Sequence, residues 1–538
     1  MLNKAVGALQ AVLSAFTASS NVTYNVISLV PNNQTLGVIV DNQLYPLSMA
    51  RETSIIFYTG QAPRADKQYK YAHISKDGYD IINQEKFSRD PTKGSSSTLN
   101  EYYGRSWNSK KLDQIPTIRE QLPFINRISS DLHIDGEIPT IHFFGNQSAI
   151  DRIHVNQRES INIDLNMTYI SPHKIKIYPK VTFAISGHST RFNNKVSYKF
   201  RVPKEDTLFG YHHLKLRSIS TDKTYMRDNL AYDITESIGL PSSKHSYVRV
   251  YINDQAVGLF GLAEIFKKQW VRNEMSFGKK NKHLNALYVA DIKTGRGKNS
   301  DSTYLGNNID LYSAGYYGVK ASSARGTANF SRIMDLTRFI SEQLNATNID
   351  DSVVPLWKEK IDVDSLLRMI ALEIVISNSD AYLTMANNYI LYDDYESDRV
   401  AFSAQDFDLT MGSAINNAGF STRPLTSSLI RVPKFKQDLE RLIYRMTKDL
   451  VNTKLLAPRI ESLRDFLLED VVWDQNLPRL GKGLRRPGHN NDNDSKMEPE
   501  TAFLAAIHGP TNSTRSMALL DWIEFRSNNI LDFFERLK

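Results

Sequence analysis

The sequence predicts an α+β chain in two lobes, β-rich first and helical second, with a small all-β unit in front. Three observations point there. Short β-prone runs divided by turn residues fill the first half, a 3.6-residue apolar period takes over after Lys267, and an acidic stretch around a β-hairpin pattern, Ser377 to Gly412, lies inside the helical half. The expected division is 1–20 as a secretory leader, 21–105 as a sandwich-like β unit, 106–275 as the β-rich lobe, and 276–538 as the helical lobe containing 377–412.

The leader reading rests on one lysine, an apolar stretch from Ala5 to Ala18 and a small-residue end at Ser20. Asn-x-Ser/Thr sequons at Asn21, Asn33, Asn146, Asn166, Asn329, Asn345, Asn493 and Asn512 agree with export and glycosylation. No run is long enough to span a bilayer, and the polar end from Asp532 to Lys538 predicts no GPI-attachment tail, so a secreted chain is expected. From Val22 to Ser106, runs such as Val22 to Val30, Thr35 to Val40 and Gln68 to His73 alternate with turns, and Lys93 to Thr98 reads as a loop or linker closing that unit.

A second β-rich region runs from Ile138 to Ile265. Phe183-Ala-Ile-Ser-Gly-His-Ser-Thr leads into a predicted strand from Lys195 to Val202, with Lys195, Ser197 and Lys199 on one face. A lysine projecting from a strand beneath a Gly-containing loop can grip phosphates, though a charged edge strand shows the same pattern. Asp228 to Gly239 reads as a helix opened by Arg227, and two strands joined at Asn253-Asp254 end at Glu264. Beyond Lys267, one stripe joins Ile333, Leu336, Ile340 and Leu344, and another joins Leu366, Ile370 and Ile374 on the helix that delivers Asp380. Further helices are expected at Lys434 to Val451, Lys454 to Leu468 and Arg515 to Leu537, with a loop from Gly481 to Glu498.

Composition narrows the chemistry. The 538 residues hold no cysteine, which excludes disulfides, thiol catalysis and Cys-ligated zinc. Of twelve histidines the one close pair, His212 and His213, lacks the i, i+4 spacing of a helical zinc site. Ser189 lacks the G-x-S-x-G context of a hydrolase elbow. The net charge of +7 is diffuse and not interleaved with aromatics, so no nucleic-acid partner is expected.

The acidic stretch carries the functional signal. Tyr389 to Tyr392 and Val400 to Phe402 flank the turn Asp-Asp-Tyr-Glu-Ser-Asp-Arg, so folding the hairpin brings Asp380 and Asn388 beside Asp406-Phe-Asp408. Acid, amide, hairpin, acid is the order that kinase-type phosphoryl transfer needs: one carboxylate orients the hydroxyl, while an amide and a second carboxylate hold Mg²⁺. Asp and Asn also cap turns, and no His-Arg-Asp precedes Asp380.

Arg227-Asp-Asn-Leu-Ala-Tyr-Asp, the strand Tyr247 to Tyr251 with its continuation Ile252-Asn-Asp-Gln-Ala-Val-Gly-Leu-Phe, and Gln405-Asp-Phe-Asp-Leu-Thr-Met-Gly together resemble the spore coat protein H (CotH) family of atypical secreted kinases. The resemblance runs from about Ile138 to the C-terminus and is closest in look to the fungal surface proteins of the family. It implies a bilobal protein-kinase-like fold and ATP with Mg²⁺ or Mn²⁺ as cofactors. It further implies transfer of the γ-phosphate to Ser or Thr of secreted or coat proteins. On that reading Asp380 is catalytic, Asn388, Asp406 and Asp408 hold metal, and Lys195 or Lys199, Arg227 and Glu264 serve the nucleotide. The alternative it implies is a non-enzymatic, invasin-like adhesin that binds a host-cell receptor. The stretch Met385 to Asp398 departs from the Gly- and Asp-rich version of those relatives.

Overall fold

Seven strands open the chain: β1 (Asn21–Ile27), β2 (Gln34–Val40), β3 (Gln43–Met49), β4 (Phe57–Pro63), β5 (Tyr69–Ser75), β6 (Ile81–Gln84) and β7 (Ser97–Tyr102). The computed structural model describes residues 21–78, 80–187, 189–280, 286–290, 300–313, 317–322, 330–413, 423–483, 497–511 and 516–537. The leader, three of the sequons (Asn329, Asn493 and Asn512) and most of the expected loop from Gly481 lie outside the described residues. The strands form one sheet in the order β6-β5-β2-β3-β4-β1-β7. Tyr69 and Tyr71 of β5 donate their hydroxyls to the buried Glu101 of β7, at 3.0 and 2.7 Å, across the width of that order. The sheet therefore curls over its own core of Val22, Tyr24, Val38 and Tyr71, which matches the sandwich-like expectation.

The loop or linker expected from Lys93 to Thr98 ends two residues early. Ser97 starts β7, which pairs in parallel with β1. The curled sheet is also fixed to later parts of the chain: Ile27, Ile56, Phe57 and Tyr102 share an apolar cluster with Ile170, Tyr251 and Trp473. Ser54 bonds the His142 ring at 2.7 Å, and Asn100 donates to Ser171 O at 2.9 Å.

The second unit is a closed barrel of β8 (Thr140–Phe144), β9 (Ile163–Ile170), β10 (Ile175–Ser186), β11 (Ser197–Arg201), β12 (His213–Arg217), β13 (His245–Ile252) and β14 (Gln255–Glu264), ordered β10-β11-β12-β14-β13-β8-β9. Helix α1 (Gln147–Val155) follows β8, and α2 (Arg227–Ser237) lies between β12 and β13. Period-two alternation sorts the faces. Tyr198, Phe200, Leu214, Leu216, Val248, Val250, Phe260 and Leu262 fill the barrel. Their odd-numbered neighbours Lys199, Lys215 and Arg217 take the opposite, outer face. The strand begins at Ser197, so Lys195 precedes it.

The remainder is mainly helical: α3 (Lys268–Met275), α4 (Asp310–Ser313), α5 (Ser331–Asn345), α6 (Val354–Lys360), α7 (Val363–Ile376), α8 (Tyr382–Met385), α9 (Pro424–Leu429), α10 (Pro433–Asp449), α11 (Thr453–Gln475), α12 (Pro499–His508) and α13 (Leu519–Arg536). Two further strands correct the expectation of helices alone. β15 (Ala286–Ala290) and β16 (Tyr317–Ala321) join the expected hairpin, β17 (Tyr389–Asp394) and β18 (Arg399–Ala404), in the order β16-β15-β17-β18. Five-residue runs such as Ala-Leu-Tyr-Val-Ala carry too little periodicity to separate a buried strand from a buried helix. Helix α11 also outruns its predicted end at Leu468, and the extra turns carry Asp470 and Asp474 onto the barrel. No helix among the described residues is long and apolar enough to cross a membrane. The observed class is α+β.

Candidate functional site

Helix α7 sets one side of the site. Its N-cap Asp362 accepts from Ser365 N at 2.9 Å, nearly all of it is buried, and Ser377 stops it in the left-handed region at φ 52°. Inside it, the buried Glu373 accepts from Tyr382 N and Leu383 N at 3.1 and 2.9 Å and so positions α8. Burial pushes this carboxyl up to about 7 against those two bonds.

Between α7 and β17 the chain turns through Asn378 to Asn388. The Asn378 amide ties two functional segments: its Oδ1 accepts from Asp380 N at 3.1 Å, and its Nδ2 donates to Asp406 O at 3.3 Å. Asn388 donates from Nδ2 to Asp380 Oδ2 at 2.8 Å, and its carbonyl accepts from Gln405 N at 2.9 Å. Asn388 and Asp406 both adopt positive φ, 52° and 61°, which short polar side chains tolerate better than most. The hairpin therefore juxtaposes Asp380 and Asn388 with Asp406-Phe-Asp408, as the order of residues predicts.

The other side comes from the barrel. Arg217, at the end of β12, places Nε 2.6 Å from Asp228 of α2 and Nη2 2.6 Å from Asp406 Oδ1, with Asp408 Oδ1 at 3.7 Å. Asp228 also accepts from Phe407 N at 3.0 Å, so helix and Asp-Phe-Asp turn are joined twice. Lys215 stands 3.9 Å from Asp406 Oδ2, and Thr221 donates to Asp408 Oδ2 at 3.1 Å.

Three carboxylates thus share one guanidinium and one ammonium. Burial opposes charge on Asp406, but Arg217 and Lys215 outweigh it and hold this carboxyl well below the usual range. Asp408 goes the other way: burial and then the Asp406 charge push it up to about 8. The excess of acid remains reachable, since the side chains of Asp406 and Asp408 are 31 and 22% exposed.

The remaining predicted residues lie elsewhere. Lys195 lies apart from the Arg217 group: its ammonium is 2.8 Å from the buried Asp474 of α11 and donates to Leu259 O at 2.5 Å. Arg479 and the Tyr225 hydroxyl complete that Asp474 site at 3.0 and 2.6 Å. Burial, opposed by Asp474, brings the Lys195 ammonium down to about 8. Lys199 lies on β11 directly opposite Lys215. Arg227 pairs with Asp222 at 2.7 Å and donates to the carbonyls of Met411 and Met517, both at 3.1 Å, which pins the turn after Asp408. Glu264 is buried, accepts from Asn273 Nδ2 at 2.9 Å, and is pushed far up by burial. It is absent from the Arg217 group.

Sequence reasoning missed Lys215, Arg217, Asp228 and Thr221. The available signal was the alternation in His213-Leu-Lys-Leu-Arg, which gives one face to cations and the other to leucines. Among the described residues no three acidic or histidine side chains form a ready cation cage. A magnesium ion needs less, one or two carboxylates with the rest supplied by water and phosphate oxygens. Asp406, Asp408 and the Asn388 amide are hard-oxygen donors of that kind, and the proton burden on Asp408 is one that a divalent cation relieves.

Comparison with known proteins covers the same ground. The family model described as CotH kinase protein matches residues 183–478. Invasin CotH3 of Rhizopus delemar is 26% identical over 495 residues, covering 88% of this chain and 78% of the relative. Spore coat protein homolog 1 of the same fungus is 21% identical over 96% of this chain and 82% of its own length. Inner spore coat protein H of Bacillus subtilis is 23% identical over 56% of this chain and 82% of its own. The matched span takes in the barrel from β10 onward, the Arg217 and Asp406 cluster and helix α11, more than half of all residues, and the chain belongs to the CotH family.

Proposed function

We propose that the chain is a CotH-type phosphotransferase that moves the γ-phosphate of ATP, with Mg²⁺ or Mn²⁺, to a Ser or Thr hydroxyl of a secreted or coat protein. The observation that carries this reading is Arg217, a strand cation paired at once with a helix carboxylate, Asp228, and with the acid after the hairpin, Asp406. Kinase-type sites likewise pair a strand cation with a helix carboxylate and set a metal-holding acid near it. The chain order supports a kinase-like bilobal layout: strand, Gly187 loop, strand, cation strand, helix, two strands, then the helical half.

On this reading Arg217 and Lys215 face the phosphates, and Asn388, Asp406 and Asp408 hold the metal, which when bound supplies charge neutralisation at the phosphates. Asp380, held by Asn388 and Asn378, accepts the acceptor hydroxyl proton as that oxygen bonds to phosphorus and the bond to the β-phosphate oxygen breaks. Arg227 and Glu264 act on the fold of the site and not on the nucleotide. The test is transfer of labelled γ-phosphate to the chain itself or to a Ser-rich peptide; no transfer with either metal overturns it.

A second reading, a surface or coat ligand, has the relatives named invasin and spore coat protein in its favour. Its expected contact, the acidic turn, is only partly available. Asp393 and Asp394 are buried, Asp393 on Arg332 at 2.9 Å and Asp394 on the Ser397 hydroxyl at 2.6 Å, while Asp398 is exposed. Both readings place the protein outside the cell or in its coat, and the sequon residues Asn21, Asn33, Asn146, Asn166 and Asn345 are all exposed, as glycan acceptors must be.

A further inference from the structure

Helix α5 carries one of the sequons on its last residue. Asn345 ends the helix, Ala346 leaves it in extended backbone at φ −63° and ψ 140°, and both Asn345 and the sequon's Thr347 are exposed. Arg431 fixes that end by donating to the carbonyls of Gln343, at 3.2 Å, Leu344 and Ala346. Side chains on a helix lean toward its N-terminus. The Asn345 amide accordingly lies over the preceding turn, with Nδ2, the atom to which an N-linked glycan attaches, 3.4 Å from Ser341 Oγ.

That lean carries the amide into a groove of about 630 Å³, open to solvent and of the size that takes small ligands. Glu342, Ser341 and Arg338 continue the Asn345 face along the helix, and Tyr304 with Asn307 forms the opposite wall. The Tyr304 hydroxyl donates to Asn307 Oδ1, Arg338 Nη2 donates to the same oxygen at 3.1 Å, and the Arg338 guanidinium stands 5.8 Å from the Tyr304 ring centre. An aromatic ring set among hydroxyl, amide and charged groups suits a sugar, which is apolar on its C–H face and hydroxylated around its edge. By contrast, Asn146 caps the start of α1 and Asn166 lies on β9, and neither borders this groove.

We propose that Asn345 is N-glycosylated and that the first sugars of its glycan occupy this groove as a fixed part of the fold. In the transfer, Asn345 Nδ2 bonds to C1 of a sugar carried on a lipid diphosphate. The C1–O bond to the diphosphate breaks, the lipid diphosphate leaves with the electron pair, and the amide nitrogen gives up one of its two protons. The proton that remains keeps the contact with Ser341 Oγ. The loop so covered is tied to the candidate site, since Asp301 O accepts from the Tyr382 hydroxyl at 3.0 Å and Ser300 O from the Tyr389 hydroxyl at 2.6 Å. The inference rests on the placement of the protein outside the cell and not on phosphotransfer.

The experiment secretes the whole chain from a yeast host behind a supplied export signal and maps its glycopeptides by mass spectrometry. Asn345 should carry a glycan, and an endoglycosidase should release it from the native protein about tenfold more slowly than the glycans of the other modified sequons, because release must wait for the groove to open. After denaturation all should be released at one rate. Tyr304→Ala removes the aromatic wall, and Ser341→Arg fills the groove from the helix side without touching the loop. Each should bring native release at Asn345 to the rate of the other sites, with the unfolding temperature of Ser341→Arg little changed. An unmodified Asn345 in the secreted chain, native release as fast as elsewhere, or slow release that survives both variants overturns the proposal. A second culture without the supplied signal keeps the two readings apart: retention inside the cell there, with Asn345 modified behind the supplied signal, counts against the extracellular placement alone.

Discussion

Two ionic clusters join the barrel to the helical half, and they are built on opposite plans. At the end of α11, Asp470 and Asp474 are completely buried and face four cations, Arg105 and Arg249 at the first and Lys195 and Arg479 at the second. The guanidinium of Arg249 is also sandwiched by Tyr102 and Trp473, 3.7 and 4.4 Å from their ring centres. At the end of β12 the balance reverses: Asp228, Asp406 and Asp408 face Arg217 and Lys215, and Asp406 and Asp408 keep partial access to water. A sealed cluster with cations to spare fixes two units together. An open cluster with acid to spare fits the proposed role of holding a metal ion.

The greatest change expected from disturbing this contrast is in stability at the sealed end. Asp474→Ala strands the buried Lys195 and removes an acceptor from Leu259 N, and should cost about 3–5 kcal/mol in denaturant unfolding. Asp408→Ala, at the open end, should cost little or even stabilise the metal-free chain. Equal losses at both sites would erase the distinction. Next in size is removal of residues up to 102, which bares Ile170, Tyr251 and Trp473. It should lower the unfolding midpoint and loosen α11 with it; an unchanged midpoint would show that the curled sheet is merely appended.

The same contrast explains what could be read in advance. Asp380, Asn388, Asp406 and Asp408 were legible because one hairpin brings them together, and a hairpin is a local device whose two strands announce themselves by alternation and a polar turn. The partner of Lys195 and the place of Arg217 were hidden for the opposite reason. Which cation meets which acid depends on the closure of a barrel and, for Lys195, on Asp474, 279 residues away in the chain, and no local pattern encodes that partner. The strands β15 and β16 were lost to shortness. Glu264 illustrates a third limit: only the packing shows that it is sealed against Asn273, with burial pushing its carboxyl up.

A pH experiment separates the two clusters further. Because burial and Asp406 raise Asp408 in the folded state to about 8, the native chain holds a proton there that the unfolded chain releases near pH 4. Its contribution is present in full at acid pH and is lost as pH rises through about 8. Without divalent metal, stability should therefore decline across that window, and Asp408→Asn should flatten the decline. The depressed Asp406 acts in a separate window, below pH 4, where its contribution is lost as pH falls. A slope unaffected by Asp408→Asn would mean that the proton resides elsewhere.

The slightest change is expected at the hairpin tip. Glu396→Gln with Asp398→Asn should change stability by no more than about 0.5 kcal/mol and leave phosphotransfer alone. Asp393→Asn, which breaks the half-buried Arg332 pair, should cost about 1 kcal/mol more. Loss of cell attachment in the first variant, with transfer absent from the unmutated chain, would favour the surface-ligand reading.

Whether the acid-rich cluster around Arg217 is a reaction centre is decided by the rate of γ-phosphate transfer from ATP, with Mg²⁺ or Mn²⁺, by the unmutated chain and by Asp406→Asn. A reaction centre gives measurable transfer by the first and a loss of about 10³-fold or more in the second, with both folded to the same degree. Equal rates in the two, or no transfer from the unmutated chain with either metal, would contradict it.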